Sequence, residues 1–433
     1  MTNSDVVFIA AGGANSIGGS SYFLKKKRSG KILGIDAGGR FRTDTSKSIE
    51  PECIDAIEHI DWLLLTHGHW DHVGALVLFF RRFPSLKVYA TRATIVLARI
   101  LCQQTLSRAL ENDEPLPFSS LEMERTLSAI HEINFEEPLF LEEGLTVYPV
   151  PAGHILDAAS FLIEWDGDFY FFTGDICFEN RSLLPGAPKL EIKRIRLLVR
   201  ESTYINEDKN RGESISYLCE SAEDVVKRGN QALIASLSID RAQDVFSVLA
   251  RHFSLIGNDA SIYIDGSRRV FRIYRESLGP EADILDQALW FRNNYDRAEL
   301  LKRGEPAIII ASSGMMYSDT PSAQWAEQFI HDEHKSIFTV NYQDPTSPGY
   351  AVANSKMGQF LIINDEIIQR KCDVRRFDLS AHMDKTDGIK LEKRMNADTT
   401  VYVHGENEQI DKFLQEHQDG QRVKAIPGKE IEV

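Results

Sequence analysis

Three histidines and one aspartate crowd into Thr66-His67-Gly68-His69-Trp70-Asp71-His72, directly after an apolar run at 62–65. Imidazole nitrogen and carboxylate oxygen are ligands that zinc prefers, at about 2.0–2.2 Å. Alternate side chains of an extended turn point the same way, so His67 and His69 share one side. Asp71 and His72 fall where the next helix begins and can face a second ion. The alternative is a solvated polar turn. Against it, the chain has only 12 histidines in 433 residues, and the run before the cluster is fully apolar.

One turn cannot close two sites, so further ligands are expected at other strand ends. His154 lies in Val150-Pro151-Ala152-Gly153-His154 and Asp175 in Thr173-Gly174-Asp175. Each follows a strand-like run and stands beside a glycine. Alone, either reads as a cap or turn residue; beside the first motif, both read as ligands. The 5 cysteines are scattered and form no CxxC pair, which excludes a thiolate zinc site and a disulfide framework. That usage suits a reducing cytoplasm.

Asp36, His67, His69, Asp71, His72, His154 and Asp175 together resemble the metallo-β-lactamase superfamily, in that family's order. The remainder resembles its β-CASP branch, metal-dependent nucleases that process RNA or repair DNA. That branch adds three motifs. They are matched by Glu201 in Arg200-Glu201-Ser202-Thr203-Tyr204, His382 in Ser380-Ala381-His382-Met383-Asp384 and His404 in Val403-His404-Gly405-Glu406. Asp240-Arg241-Ala242-Gln243-Asp244 resembles the branch's Gly-Arg-Ala-Gln-Glu helix start. Ile310-Ala311-Ser312-Ser313-Gly314-Met315-Met316 resembles its Ala-Ser-x-Gly-Met loop.

The resemblance implies an α/β fold: an αββα metallo-β-lactamase sandwich of residues 1–205 and 356–433, interrupted by an inserted parallel α/β β-CASP domain at 206–355. It implies two Zn2+ per chain. One is held by His67, His69, His154 and Asp175, the other by Asp71, His72, His404 and a shared Asp175. His382, Glu201, Asp71 and Asp36 form the implied catalytic set, with His382 as general acid, Glu201 orienting it and Asp36 orienting the turn. Ser312, Ser313, Gly314, Arg241 and Ser380 are the implied substrate contacts.

RNA-processing members resemble this chain in having a histidine at the position of His404. The expected activity is therefore zinc-dependent hydrolysis of single-stranded RNA, endonucleolytic with 5′–3′ exonuclease action as a further mode. A DNA nuclease of the same fold and a non-catalytic scaffold subunit are the competing readings. The chain departs from the family at Asp240, where a glycine is usual, at Asn341-Tyr342-Gln343-Asp344-Pro345-Thr346, and at Gly13-Ala14-Asn15-Ser16-Ile17-Gly18-Gly19-Ser20, which lacks the usual arginine.

The elements that must carry these side chains alternate. Short strand-like runs at 6–10, 21–24 and 32–35 are joined by Gly-rich turns. Strands at 87–90, 145–150, 161–165 and 169–172 are interleaved with helical patterns at 73–80 and 93–110, and the stretch 111–143 is acidic without clear period. Beyond about 205, helices at 214–227 and 242–252 alternate with apolar runs at 232–236, 262–265, 307–311 and 336–341, which implies a parallel sheet. Residues 359–368 read as a hairpin.

The composition, 43% hydrophobic and 26% charged, is that of a globular chain. No apolar run reaches the roughly 18 residues of a membrane span, and the first residues lack the basic start of a signal peptide. Net charge is −15, which excludes a general nucleic-acid coat protein but not an enzyme gripping RNA in one cleft. A homodimer or a protein partner would then supply RNA-binding surface. The local basic candidates are Arg81-Arg82 and Ser267-Arg268-Arg269 with Arg272.

Overall fold

Two-sided burial explains why the first strand reads as an unbroken apolar run. In Val6–Gly12, Phe8 and Ala10 face one core while Ile9 and Ala11 face another. The computed structural model describes residues 5–40, 49–111, 113–192, 194–257, 260–318, 320–363, 366–418 and 420–433. The first four residues of the stretch inspected for a leader lie outside them.

The chain forms two compact units. The first comprises Met1–Asn180, Pro185–Asp208 and Ala381–Val433, the second Arg181–Leu184 and Lys209–Ser380. In the first unit, one 7-stranded sheet runs in the order Glu430–Glu432, Val6–Gly12, Ser21–Lys26, Ile32–Ile35, Trp62–Leu64, Lys87–Ala90, Ile130–Glu132. The other, also 7-stranded, runs Gln421–Lys424, Ala397–Val403, Ile195–Glu201, Asp168–Phe172, Ala159–Trp165, Leu145–Pro151, Leu139–Glu142. Phe8, Leu24, Leu33 and Leu64 from one sheet pack against Phe161, Ile163, Phe172, Leu197 and Val199 from the other.

Helices cover both outer faces. Leu76, Phe79, Ala98 and Leu106 pack beneath the first sheet, and Ile410 and Phe413 pack on Tyr402 of the second. The result is the αββα layering expected. The patternless acidic stretch contains the helix Ser120–Ser128, started by a capping box. Ser119 Oγ accepts from the Glu122 N–H at 3.2 Å, and Glu122 Oε2 accepts from the Ser119 N–H at 2.8 Å. The two strands that follow it, Ile130–Glu132 and Leu139–Glu142, form one edge of each sheet.

The second unit has a 6-stranded sheet in the order Leu289–Trp290, Ser261–Asp265, Ala307–Ala311, Gln231–Ala235, Lys335–Thr339, Asp373–Arg376, with every pairing parallel. Strands buried on both faces need no polar alternation, which is why Ala307–Ala311 reads Ala-Ile-Ile-Ile-Ala. Residues 356–380, grouped above with the sandwich, belong to this unit, because Asp373–Arg376 pairs alongside Lys335–Thr339. Phe360–Ile363 and Glu366–Gln369 pair as the expected hairpin. Among the described residues, no helix is long and apolar enough to cross a membrane.

Candidate metal centre

The candidate side chains of the first unit come from strand ends. Asp36 follows Ile32–Ile35, the histidine turn follows Trp62–Leu64, His154 follows Leu145–Pro151 and Asp175 follows Asp168–Phe172. Glu201 closes Ile195–Glu201, His404 follows Ala397–Val403, and His382 precedes the helix Lys385–Met395. Strand ends free side chains from ladder pairing while the sheet fixes their roots.

The local backbone is unusual at these ends. Asp36 and His404 hold φ of 64° and 50°, a left-handed conformation that non-glycine residues keep only where surroundings impose it. Here the Asp36 N–H donates to Leu64 O at 2.9 Å and the His404 N–H to Gly13 O at 2.7 Å. Gly174, at φ 53°, must lack a side chain twice over: a Cβ there would stand 2.9 Å from Thr66 Cβ. Gly68, between two histidines, lets the turn pack on the helix Arg92–Glu111, where a Cβ would meet Leu97 Cβ at 2.5 Å.

Three groups of ligating side chains result: His67, His69, His154 and Asp175; Asp71, His72 and His404; and Asp175, Glu201 and His404. In the first, His69 Nδ1 lies 3.1 Å from both His67 Nε2 and His154 Nε2, and Asp175 Oδ2 lies 3.6 Å from each of the latter. Tetrahedral zinc with ligands at 2.0–2.1 Å would set them about 3.3 Å apart, so the observed edges bracket a zinc-sized tetrahedron. In the second, His404 Nε2 and His72 Nε2 lie 3.1 and 3.8 Å from Asp71 Oδ2, and His72 Nε2 lies 3.4 Å from Asp175 Oδ2. His72 Nε2 and Asp175 Oδ1 are buried without a hydrogen bond among the described residues. Buried polar atoms are seldom left so; a cation between the groups would satisfy both. The residues present therefore fit a bound metal.

Neighbours set which nitrogen each imidazole offers. A backbone carbonyl can only accept, so His154 Nδ1–H donates to Ala381 O at 2.8 Å and leaves Nε2 as the ligand atom. His72 Nδ1–H donates to Asp36 Oδ2 at 2.7 Å, leaving its Nε2 toward the acids. Thr66 joins the set: its Oγ1 donates to the Asp36 carboxylate and stands 3.0 Å from His67 Nδ1, while its N–H donates to Asp36 Oδ1 at 2.7 Å. Asp36→Ala is accordingly expected to weaken metal retention about 10–100-fold, the usual cost of losing such an orienting partner. Competition with a chromophoric chelator measures it, and unchanged affinity would refute the role.

Charge follows the same geometry. Burial pushes His67 and His154 well below the ordinary imidazole range, with neighbouring imidazoles adding to the effect. Burial alone would lower His72 too, but Asp175, Asp36 and Asp71 hold it well above. Burial works against an ionised Asp71, yet His72 and His404 bring it down to about 2. His67 and His154 thus stay neutral and able to ligate, Asp71 stays anionic, and the acids that favour a proton on His72 would equally favour a metal cation in its place.

Glu201 and His382 form a separate pair. The Glu201 carboxylate accepts from His382 Nδ1 at 2.9–3.0 Å, and from the Ile176 N–H at 3.0 Å. The His382 ring lies 4.5 Å from that of His154 between centroids, tilted by 52°, and belongs to none of the ligand groups. Its side chain is 17% exposed, against 3% or less for His67, His72, His154 and His404.

Sequence reasoning missed Thr66 and Thr203. Thr203 Oγ1 stands 3.1 Å from His404 Nδ1 and 3.4 Å from His382 Nδ1. Their only signal was adjacency to a motif residue.

The implied substrate contacts lie in the second unit. Arg241 is buried, with Nη1 3.6 Å from Asp244 Oδ2, in a cluster that also pairs Arg181 with Asp240 and Arg211 with Asp244. The departure Asp240 is thereby a structural partner of Arg181. Ser312, Ser313 and Gly314 follow the strand Ala307–Ala311, and Gly314 O accepts from Gln343 Nε2 at 2.9 Å. The Ser380 N–H donates to Asp378 Oδ1 at 3.2 Å. Arg268, Arg269 and Arg272 are exposed on the helix Arg268–Leu278, with Arg268 over the Trp290 ring at 5.5 Å.

Comparison with known proteins identifies the domains that carry these residues. A model of the metallo-beta-lactamase superfamily domain matches residues 29–205, one of the Beta-Casp domain residues 242–352, and one of the Zn-dependent metallo-hydrolase RNA specificity domain residues 367–426. Probable RNase MJ4 of Methanocaldococcus jannaschii is 26% identical over 93% of this chain and 93% of its own length. Transcription termination factor FttA of Methanothermobacter thermautotrophicus is 26% identical over 92% of this chain and 66% of its own length. Endoribonuclease ysh1 of Emericella nidulans is 26% identical over 94% of this chain and 51% of its own length, so this chain spans about half of that relative. A solved structure of a protein of unknown function from Enterococcus faecalis V583 shares the fold, with TM-score 0.61 and 15% identity over 99% of this chain and 100% of that one. With its sandwich, its paired ligand groups and three successive domain matches, the chain belongs to the metallo-β-lactamase superfamily, in the branch that carries a Beta-Casp domain.

Proposed function

We propose that the chain is a metal-dependent ribonuclease that hydrolyses phosphodiester bonds of single-stranded RNA, holding two zinc ions per molecule. The observation that carries this reading is one carboxylate, Asp175, that groups with His67, His69 and His154 and stands 3.4 Å from His72 of the neighbouring group, beside the Glu201–His382 pair. Relatives named as ribonucleases and endoribonucleases support RNA as the substrate class.

His67, His69, His154 and Asp175 would hold one ion, and Asp71, His72, His404 and Asp175 the other. Divalent ions so placed supply an ionised water as nucleophile and neutralise charge on the phosphate oxygens. Thr66 and Asp36 keep the His67 and His72 rings in position. Glu201 accepts the Nδ1–H of His382, which aims its other ring nitrogen away from the carboxylate. From there His382 delivers a proton to the departing ribose oxygen, and general acid help of this kind is worth about 10²–10⁴ in rate.

The test is cleavage of matched end-labelled single-stranded RNA and DNA, with and without a chelator. RNA cleavage lost on chelation and restored by zinc is expected. Cleavage indifferent to chelator would sink the proposal, and DNA-only cleavage would reassign the substrate. The fragment ladder also separates internal cuts from digestion starting at the 5′ end.

A further inference from the structure

The residue before Glu201 is an arginine buried to 1% exposure, on the outer face of the strand Ile195–Glu201. Arg200 Nη1 donates to Glu392 Oε1 at 2.9 Å, and its Nε donates to the backbone oxygen of Glu201 at 3.2 Å. Its guanidinium lies over the Tyr402 ring at 5.4 Å from the centroid. Glu392, on the helix Lys385–Met395, is fully engaged. Its Oε1 also accepts from Tyr402 Oη at 2.7 Å, and its Oε2 accepts from Arg422 Nη2 at 2.9 Å. The helix comes close because residue 388 is glycine: a Cβ there would stand 2.3 Å from both terminal nitrogens of Arg200.

This cluster joins the two segments that carry the Glu201–His382 pair. The strand Ile195–Glu201 ends in Glu201, and the helix Lys385–Met395 starts three residues after His382. Around His382 the chain is pinned by backbone bonds, Met383 N–H to Ile176 O at 2.6 Å and Lys385 N–H to Glu207 O at 2.8 Å. A buried ion pair adds little net stability over an apolar pair of the same size, and its best-attested use is to fix register. Here the register fixed is that of strand end against helix.

We propose that Arg200 and Glu392 are positioning residues, a clamp on the far side of the strand that holds Glu201 within hydrogen-bond reach of His382. The proposal rests on the reading of His382 as the proton donor. Neither Arg200 nor Glu392 is a member of a candidate ligand group, so the expected effect is on proton delivery, with metal content as the control.

The experiment compares two substrates in the full chain. Single-stranded RNA has a leaving oxygen that needs a proton, whereas bis(p-nitrophenyl) phosphate releases a phenolate that does not. Arg200→Met is expected to lower kcat on RNA about 10-fold or more, with KM, metal content and cleavage of the activated ester within about twofold of the parent, and Arg200→Lys to recover part of the loss. Arg200→Met leaves Glu392 paired with Arg422 and Tyr402 Oη; Arg200→Met/Glu392→Met removes the clamp from both sides and serves if the single variant does not fold. Equal losses on both substrates, or no loss on RNA, would overturn the clamp. His382→Ala is measured alongside: a loss no larger on RNA than on the ester would sink the proton-donor reading instead. In that event a crystal structure of the double variant decides the clamp by itself. A Glu201–His382 contact still at 2.9 Å overturns it, and a separated pair upholds it.

Discussion

Asp175→Ala is expected to abolish RNA cleavage, by at least about 10³-fold, beyond the 10–100-fold typical of an orienting partner, and to strip the bound metal. Asp175 Oδ2 lies 3.4–3.6 Å from nitrogens of His67, His72 and His154, and Oδ1 lies 3.4 Å from His404 Nδ1. Two dications at these groups would repel strongly at low dielectric, and the Asp175 carboxylate would offset that repulsion. Its removal leaves Asp71 as the only acid in the first two groups. The fold should survive, since the core between the two sheets is built from Phe8, Phe161, Phe172 and their neighbours without Asp175. Plasma mass spectrometry for metal, a labelled-RNA assay and a thermal melt together check this. A folded variant that keeps its metal and cleaves at near parental rate would contradict the ligand assignment.

His382→Ala gives the second large effect and a different signature. Cleavage should slow about 10²-fold or more while bound metal stays at the parental level. The ring lies against His154 and bonds to Glu201, yet stands outside all the ligand groups. If the variant loses metal, His382 belongs to the coordination shell and the proton needs another source. If rate and metal are both unchanged, the imidazole is structural. Glu201→Gln is a milder companion. It keeps the shape of the carboxylate and can still accept from Nδ1, so its rate should fall between parent and His382→Ala.

Much of this centre was legible in the order of residues, for a local reason. Candidate ligands on short loops after apolar strands leave a linear trace where the strand before them is buried and carries no competing polar residue, as ahead of His67 and Asp175. Leu63, Leu64 and Leu65 are wholly buried ahead of Thr66 and His67, as are Tyr170, Phe171 and Phe172 ahead of Asp175. The parallel sheet of the second unit was legible for the same reason. The helix Ser120–Ser128 was hidden: its start is set by a hydrogen-bonded capping box between exposed polar residues, in a stretch of mixed charge. The compact second unit runs on to Ser380, about 25 residues past the boundary read from the sequence, because the short, polar strand Asp373–Arg376 owes its place to pairing with Lys335–Thr339.

Sequence alone determined which residue types could ligate, in what order they occur and which buried runs present them, since each of those is a property of neighbours along the chain. Only the tertiary structure decided that Asp175 lies between the first two groups, that the Ala381 carbonyl selects the His154 tautomer, and that Arg200 meets Glu392 across 192 positions. Those relations depend on Ile195–Glu201 lying in register beside Ala397–Val403. That register is chosen by the packing of two whole sheets, and no local spacing encodes it.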